Sequence, residues 1–172
     1  MLASVPFLFS ENHLPFQAAY QNEKQNQLNT RIVRKFGDDQ MGKHEIGLSG
    51  SVAQLHNKTT QKDGSYYAAG LHSNSNYQRW NLQLQHGEYR YNLNDIDGNA
   101  IDQMAVGAYA FYDSIAAKAK TSTFNLAYSL PIEWGPVTGL QFYNNYGLVY
   151  DKSDNSRDTM MNVTGFSVAA GG

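Results

Sequence analysis

Phe124-Asn125-Leu126-Ala127-Tyr128-Ser129-Leu130 places Phe, Leu, Tyr and Leu at even positions and Asn, Ala and Ser at odd ones. A β-strand sends successive side chains to opposite faces, so this stretch makes a ribbon with one greasy side and one wet side. The same split recurs along the chain. Ile46, Leu48 and Val52 oppose Glu45, Gly47, Ser49 and Ser51; Trp80, Leu82 and Leu84 oppose Asn81, Gln83 and Gln85. Leu140, Phe142, Tyr146 and Leu148 share one parity, interrupted by Asn144. A single twisted sheet with a lipid-compatible face and a water-compatible face accounts for the pattern.

Working outward, the alternation predicts nine strands near 15–21, 26–36, 43–56, 65–75, 79–91, 103–112, 121–130, 138–150 and 159–169. Turn chemistry separates them: Gly37-Asp38-Asp39, Lys62-Asp63-Gly64, Asp97-Gly98-Asn99, Trp134-Gly135-Pro136 and Ser153-Asp154-Asn155. Every connection permits a hairpin. The expected fold is all-β, an antiparallel up-and-down meander of long strands that is a transmembrane β-barrel or part of one. Parity slips in the fifth strand, where Tyr89 and Tyr91 fall on the polar side, so Gly87 is the expected site of a bulge.

Strands of roughly 10–14 residues exceed the usual soluble length of 5–6 and meet the 9–11 tilted residues that span a bilayer. Tyr66, Tyr67, Tyr77, Tyr89, Tyr91, Tyr109, Tyr112, Trp134 and Tyr150 sit near strand ends, where interfacial girdles place aromatics. The chain has 172 residues, enough for one domain, and no apolar run approaches the roughly 18 residues of a membrane helix. With 12 Tyr, 8 Phe and 15 Gly, it favours pleated surfaces and turns over helix. Thirteen basic and 15 acidic residues are spread without a basic stripe, so nucleic acid is not an expected partner. The absence of Cys excludes disulfides, thiolate catalysis and Cys-ligated metals. Met1 to Phe9 lacks a charged leading region, and Ser167 to Gly172 stops in mid-strand; the reading expects one barrel domain over 1–172, cut at both ends.

Four stretches carry a family resemblance: HEIGLSGSVAQL (44–55), YQRWNLQLQHGEYRYN (77–92), FNLAYSLPIEWGPVTGLQFYNNYGLVYDK (124–152) and MNVTGFSVAAG (161–171). In that order they resemble the middle and later part of the phosphate-selective porins (O and P type) of the outer membrane. The resemblance implies a large antiparallel barrel of about 16–18 strands with a water-filled lumen, to which nine strands contribute only part of the wall. It implies anion selectivity from a basic cluster in the lumen, which does not map onto this chain residue by residue.

Strand parity names the candidate pore-lining residues. If Leu28, Ile32 and Phe36 meet lipid, then Arg31 and Lys35 point into the lumen with Asn29. His72 and Asn74 fall on the wet face, Gln83 and Gln85 join them, and Arg90 follows if Gly87 bulges. Cations on a pore wall would give a weak preference for anionic solutes. His72-Ser73 does not make a nucleophile and base, because neighbours on a strand point apart. The His residues at 13, 44, 56, 72 and 86 lack metal-ligand spacing, and Asn94 to Asn99 reads as a polar hairpin tip rather than a calcium loop.

The expectation is therefore a non-enzymatic piece of a bacterial outer-membrane porin, without cofactor or metal, that contacts the lipid bilayer, passes small hydrophilic or anionic solutes by diffusion and is able to form a homo-oligomer. Its alternatives are a complete eight-stranded barrel with a structural or adhesive role and a soluble β-sandwich binding module. The lipid reading requires Leu82, Leu84, Leu126 and Phe142 to lie on one outward surface.

Overall fold

A computed structural model describes residues 22–170 apart from 59, 60, 96, 109 and 110, with the side chains of 105–113 left aside. The strands are β1 (Asn22–Asp38), β2 (Gly42–Asn57), β3 (Lys62–Tyr77), β4 (Trp80–Asn92), β5 (Gln103–Ala108), β6 (Phe111–Ala116), β7 (Lys118–Leu130), β8 (Val137–Tyr150) and β9 (Thr159–Ala170). Seven of them form one antiparallel meander in the order β1-β2-β3-β4-β7-β8-β9, while β5 and β6 pair only with each other. The sheet strands run from 12 to 17 residues, beyond the span of an ordinary soluble strand. Among the described residues the sheet does not close, and β1 and β9 are its edges.

Sharp turns set the registers. After β1, the Asp38 carboxylate accepts from the backbone N–H of Gln40 at 2.8 Å and of Met41 at 2.7 Å. Gly37 and Gly42 flank this turn at φ +99° and +92°, a left-handed backbone that disfavours other residues. Connections 39–41, 78–79 and 131–136 lie at one end of the sheet; at the other end 58–61 is also short, while 93–117 and 151–158 are the two longest.

Two expectations about the strands change. The strand expected at 103–112 is a separate hairpin, β5–β6, and β4 pairs directly with β7. Gln103 to Ala108 has small or apolar residues on both parities, so nothing in it fixes a register between lipid and water. The bulge at Gly87 is absent: Gly70, Gly87 and Thr121 stand opposite one another in an unbroken register. The slips fall instead between Gln25 and Leu28 and between Val137 and Gly139. The strand expected at 15–21 lies outside the described residues.

The two faces differ as parity requires. On one, Trp80, Tyr128, Phe142 and Phe166 form a row across β4, β7, β8 and β9, beside a row holding Leu82 and Leu126. This face is uncovered: Ile32 is 69% exposed, Phe166 65% and Phe142 48%. Toward the long-connection end it gives way to charge at Glu88, Lys120 and Asp151, where Lys120 and Lys118 reach the Asp151 carboxylate at 2.8 and 3.1 Å. Polar side chains interrupt it, among them His44, Ser73, Ser75 and the pair His86 and Ser122 at 3.0 Å. Arg34 stands opposite Ile46, and the Asn144 amide donates to Asn162 at 2.6 Å and to Thr164 at 2.7 Å.

The small apolar core sits on the reverse face at the long-connection end. Leu55, only 2% exposed, packs with Tyr91, Leu93, Met104 and Ala117, and Tyr66 and Tyr89 border it. Because Gly87 keeps register, Tyr89 and Tyr91 remain on this face, where they cover the foot of the β5–β6 excursion. Backbone bonds fasten the foot: Tyr91 N–H donates to Ala117 at 2.7 Å, and Ala117 N–H to Asp102 at 2.8 Å. The Ser153 hydroxyl donates to the Asp102 carbonyl at 2.6 Å, tying segment 151–158 to the excursion. Lys24 Nζ lies 3.4 Å from the centre of the Tyr66 ring, a cation over a π face.

Candidate solute-lining wall

The polar face holds a charged corner and an amide field, with exposed Val33 on β1 and Met161 and Val163 on β9 as apolar exceptions. In the corner, the β1–β2 hairpin sets Lys35 directly opposite Glu45, and the β2–β3 hairpin sets His72 opposite Gly47. Glu45 lies 3.2 Å from Arg31, 3.5 Å from Lys35 and 3.2 Å from His72. His72 Nε2 is also 3.1 Å from the Arg31 guanidinium. Protonated, that nitrogen donates to Glu45; unprotonated, it accepts from Arg31, so either state is held. One carboxylate thus draws two permanent cations, and the corner retains one positive charge with His72 neutral.

The amide field follows from register. Asn74 on β3, Gln83 on β4, Asn125 on β7 and Asn145 on β8 stand side by side across four strands. The neighbouring row holds Asn76 and Asn81. The Asn81 amide donates to Asn74 at 2.7 Å and to Asn76 at 2.8 Å, and Gln83 donates to Asn81 at 3.1 Å. Farther along, Gln141 donates to Ser129 at 3.0 Å. Asn125 and Asn145 form no side-chain hydrogen bond among the described residues. Tyr143 stands opposite Ala127 and Gly165, and a Cβ at Gly165 would come within 2.6 Å of the Tyr143 Cζ, so the ring lies across that glycine.

Six of the seven residues singled out from sequence share this face: Arg31, Lys35, His72, Asn74, Gln83 and Gln85. Arg90 does not. With no bulge at Gly87 it keeps the parity of Leu82 and Leu84, stands opposite Tyr67 and Lys118, and lines a half-open cavity of about 550 Å³ with Asp63, Leu93 and Ile101. Arg31, Lys35 and His72 come together, but on Glu45, which was on the wet parity without being singled out. Counting outward from the Asp38 turn pairs Lys35 with Glu45, and that was the available signal. Ser73 points with Ile46 and Leu84 to the apolar side, away from His72.

Asp95 serves its own turn, accepting from the backbone and side-chain nitrogens of Asn99 at 2.8 and 3.3 Å. Those bonds hold its carboxyl below the ordinary carboxylate range, the backbone N–H of Asn99 first. Compared with protein-family models, curated proteins and solved structures, the chain finds no match.

Proposed function

We propose that this chain forms wall of a bacterial outer-membrane porin that lets small hydrophilic solutes diffuse through without catalysis. The observation that carries the reading is the pairing of opposites on one seven-stranded meander: an uncovered apolar face, and a reverse face of amides, hydroxyls and one ion-pair corner. Inter-strand bonds satisfy the backbone, which is what allows a β wall to cross hydrocarbon. The two longest connections, 93–117 and 151–158, leave the same end of the sheet, which fits the longer loops on one side of an outer membrane. The β5–β6 excursion and its apolar core, on the polar face, narrow the lumen at the long-connection end. Among the described residues β1 and β9 leave unpaired edges, so closing the wall takes strands beyond the seven, which further copies of this chain would supply by pairing edge to edge in a homo-oligomer.

The sandwich alternative needs an apolar partner sheet, and none covers this face among the described residues. The eight-stranded barrel differs in its interior, which would be filled rather than open. Reconstitution of the full chain into planar lipid bilayers separates the readings. Discrete ion-conducting steps are expected; membrane insertion without conductance favours the filled barrel, and a detergent-independent soluble monomer overturns the membrane reading.

A further inference from the structure

We infer that the amide field takes a neutral polyhydroxylated solute, a short oligosaccharide, rather than a free anion; the inference rests on the porin reading above. Asn74, Gln83, Asn125 and Asn145 stand in one register row. With strands about 4.8 Å apart, that row extends over roughly 14 Å, enough for several hydroxyl groups in line. An amide offers donors and an acceptor together, and a sugar hydroxyl needs both. A phosphate or carboxylate offers acceptors only and is held by cations. Cations on this face are already engaged: Glu45 holds Arg31 at 3.2 Å and Lys35 at 3.5 Å, Asp39 holds Lys43, beside Asn76, at 3.2 Å, and Lys24 lies over the Tyr66 ring.

Within the row, Asn74 and Gln83 are bonded into a fixed network through Asn81, at 2.7 and 3.1 Å. Asn125 and Asn145 have no such side-chain bond among the described residues and keep their amides for a solute. Tyr143, one strand position pair away on the same face as Asn145, lies across Gly165. A ring laid along the sheet offers its π face to the apolar face of a pyranose. A rigid amide network, two uncommitted amides and an aromatic platform together suit a sugar.

The test uses the full chain in planar bilayers, with maltohexaose and inorganic phosphate as the two probes. Reversible interruptions of the current by maltohexaose, and none by phosphate, are expected. Asn125→Ala with Asn145→Ala should weaken the maltohexaose block about tenfold, the loss of two neutral hydrogen bonds. Should that pair fail to yield channels, Tyr143→Leu carries the same test and should weaken the block too. Channels that phosphate blocks and maltohexaose does not, or a block unchanged in these variants, overturn the inference and leave the porin reading standing. No conductance from the unsubstituted chain overturns both.

Discussion

His72 lies over Gly47, its register partner on β2: a Cβ at Gly47 would stand 2.3 Å from the His72 Cε1 and 2.8 Å from its Nε2. The missing side chain on β2 is what lets the imidazole lean across to Glu45. Gly47→Ala should therefore push the ring away and lower stability by about 1–3 kcal/mol, the usual cost of overpacking. The urea midpoint of the reconstituted protein measures it. In a His72→Ala background the same change should cost much less, although the Ile32 carbonyl at 3.0 Å still limits the space.

Leu126 stands between Leu82 and Asn144 on the uncovered face. Leu126→Arg should cost about 2–4 kcal/mol of folding stability if that height is mid-bilayer. Arg34, exposed on the same face opposite Ile46, gives the converse: Arg34→Leu should raise the urea midpoint. Equal tolerance of both changes would mean that this face does not touch hydrocarbon.

The roof over the polar face depends on Leu55. Leu55→Ala removes the most buried large side chain beneath Met104 and Leu93 and should cost about 2–5 kcal/mol, taken mainly from the excursion. Hydrogen exchange should accelerate over 93–117 while amides in β7 and β8 stay protected. A uniform loss of protection would show that the excursion and sheet unfold as one unit.

Acid should loosen the same end. The Asp151 carboxyl is held below its ordinary value of 3.8, first by the Lys120 ammonium and then by Lys118. Asp154 is lowered too, by the side chain and backbone N–H of Ser156. A carboxyl depressed in the folded state contributes stability that is present above pH 3.8 and is lost as pH falls through its folded value. Proteolysis within 151–158 should thus be slow at neutral pH and rise below that range. Asp151→Asn should be cleaved faster at neutral pH and depend less on acid.

The long strands were legible because period-two alternation locates them; 138–150 and 159–169 match β8 and β9 to within a residue at each end, whereas Lys62-Asp63-Gly64, expected as a turn, is the paired start of β3. What escaped was non-local. Met104 is buried by Leu55, Tyr91 and Leu93, and nothing within 103–112 announces those distant partners. Tyr89 and Tyr91 looked displaced from the apolar side, and a bulge was the local remedy; the actual remedy is an apolar cover on the polar side. Arg90 followed that error to the wrong face. Lys35 and Arg31 were placed by parity alone, which gives a face but not a partner, so the neutralising Glu45 went unmarked.

The most direct measurement uses the absence of native Cys. Single cysteines carrying spin labels at 80–86 and 124–128 in the bilayer-reconstituted chain report contact with oxygen, which concentrates in hydrocarbon, and with a water-soluble nickel complex. Labels at 82, 84, 124 and 126 should favour oxygen, and those at 83, 85 and 125 the nickel complex, alternating residue by residue. Labels at the first set shielded from both reagents would place Leu82, Leu84 and Leu126 in a closed interior and contradict the two-faced membrane wall.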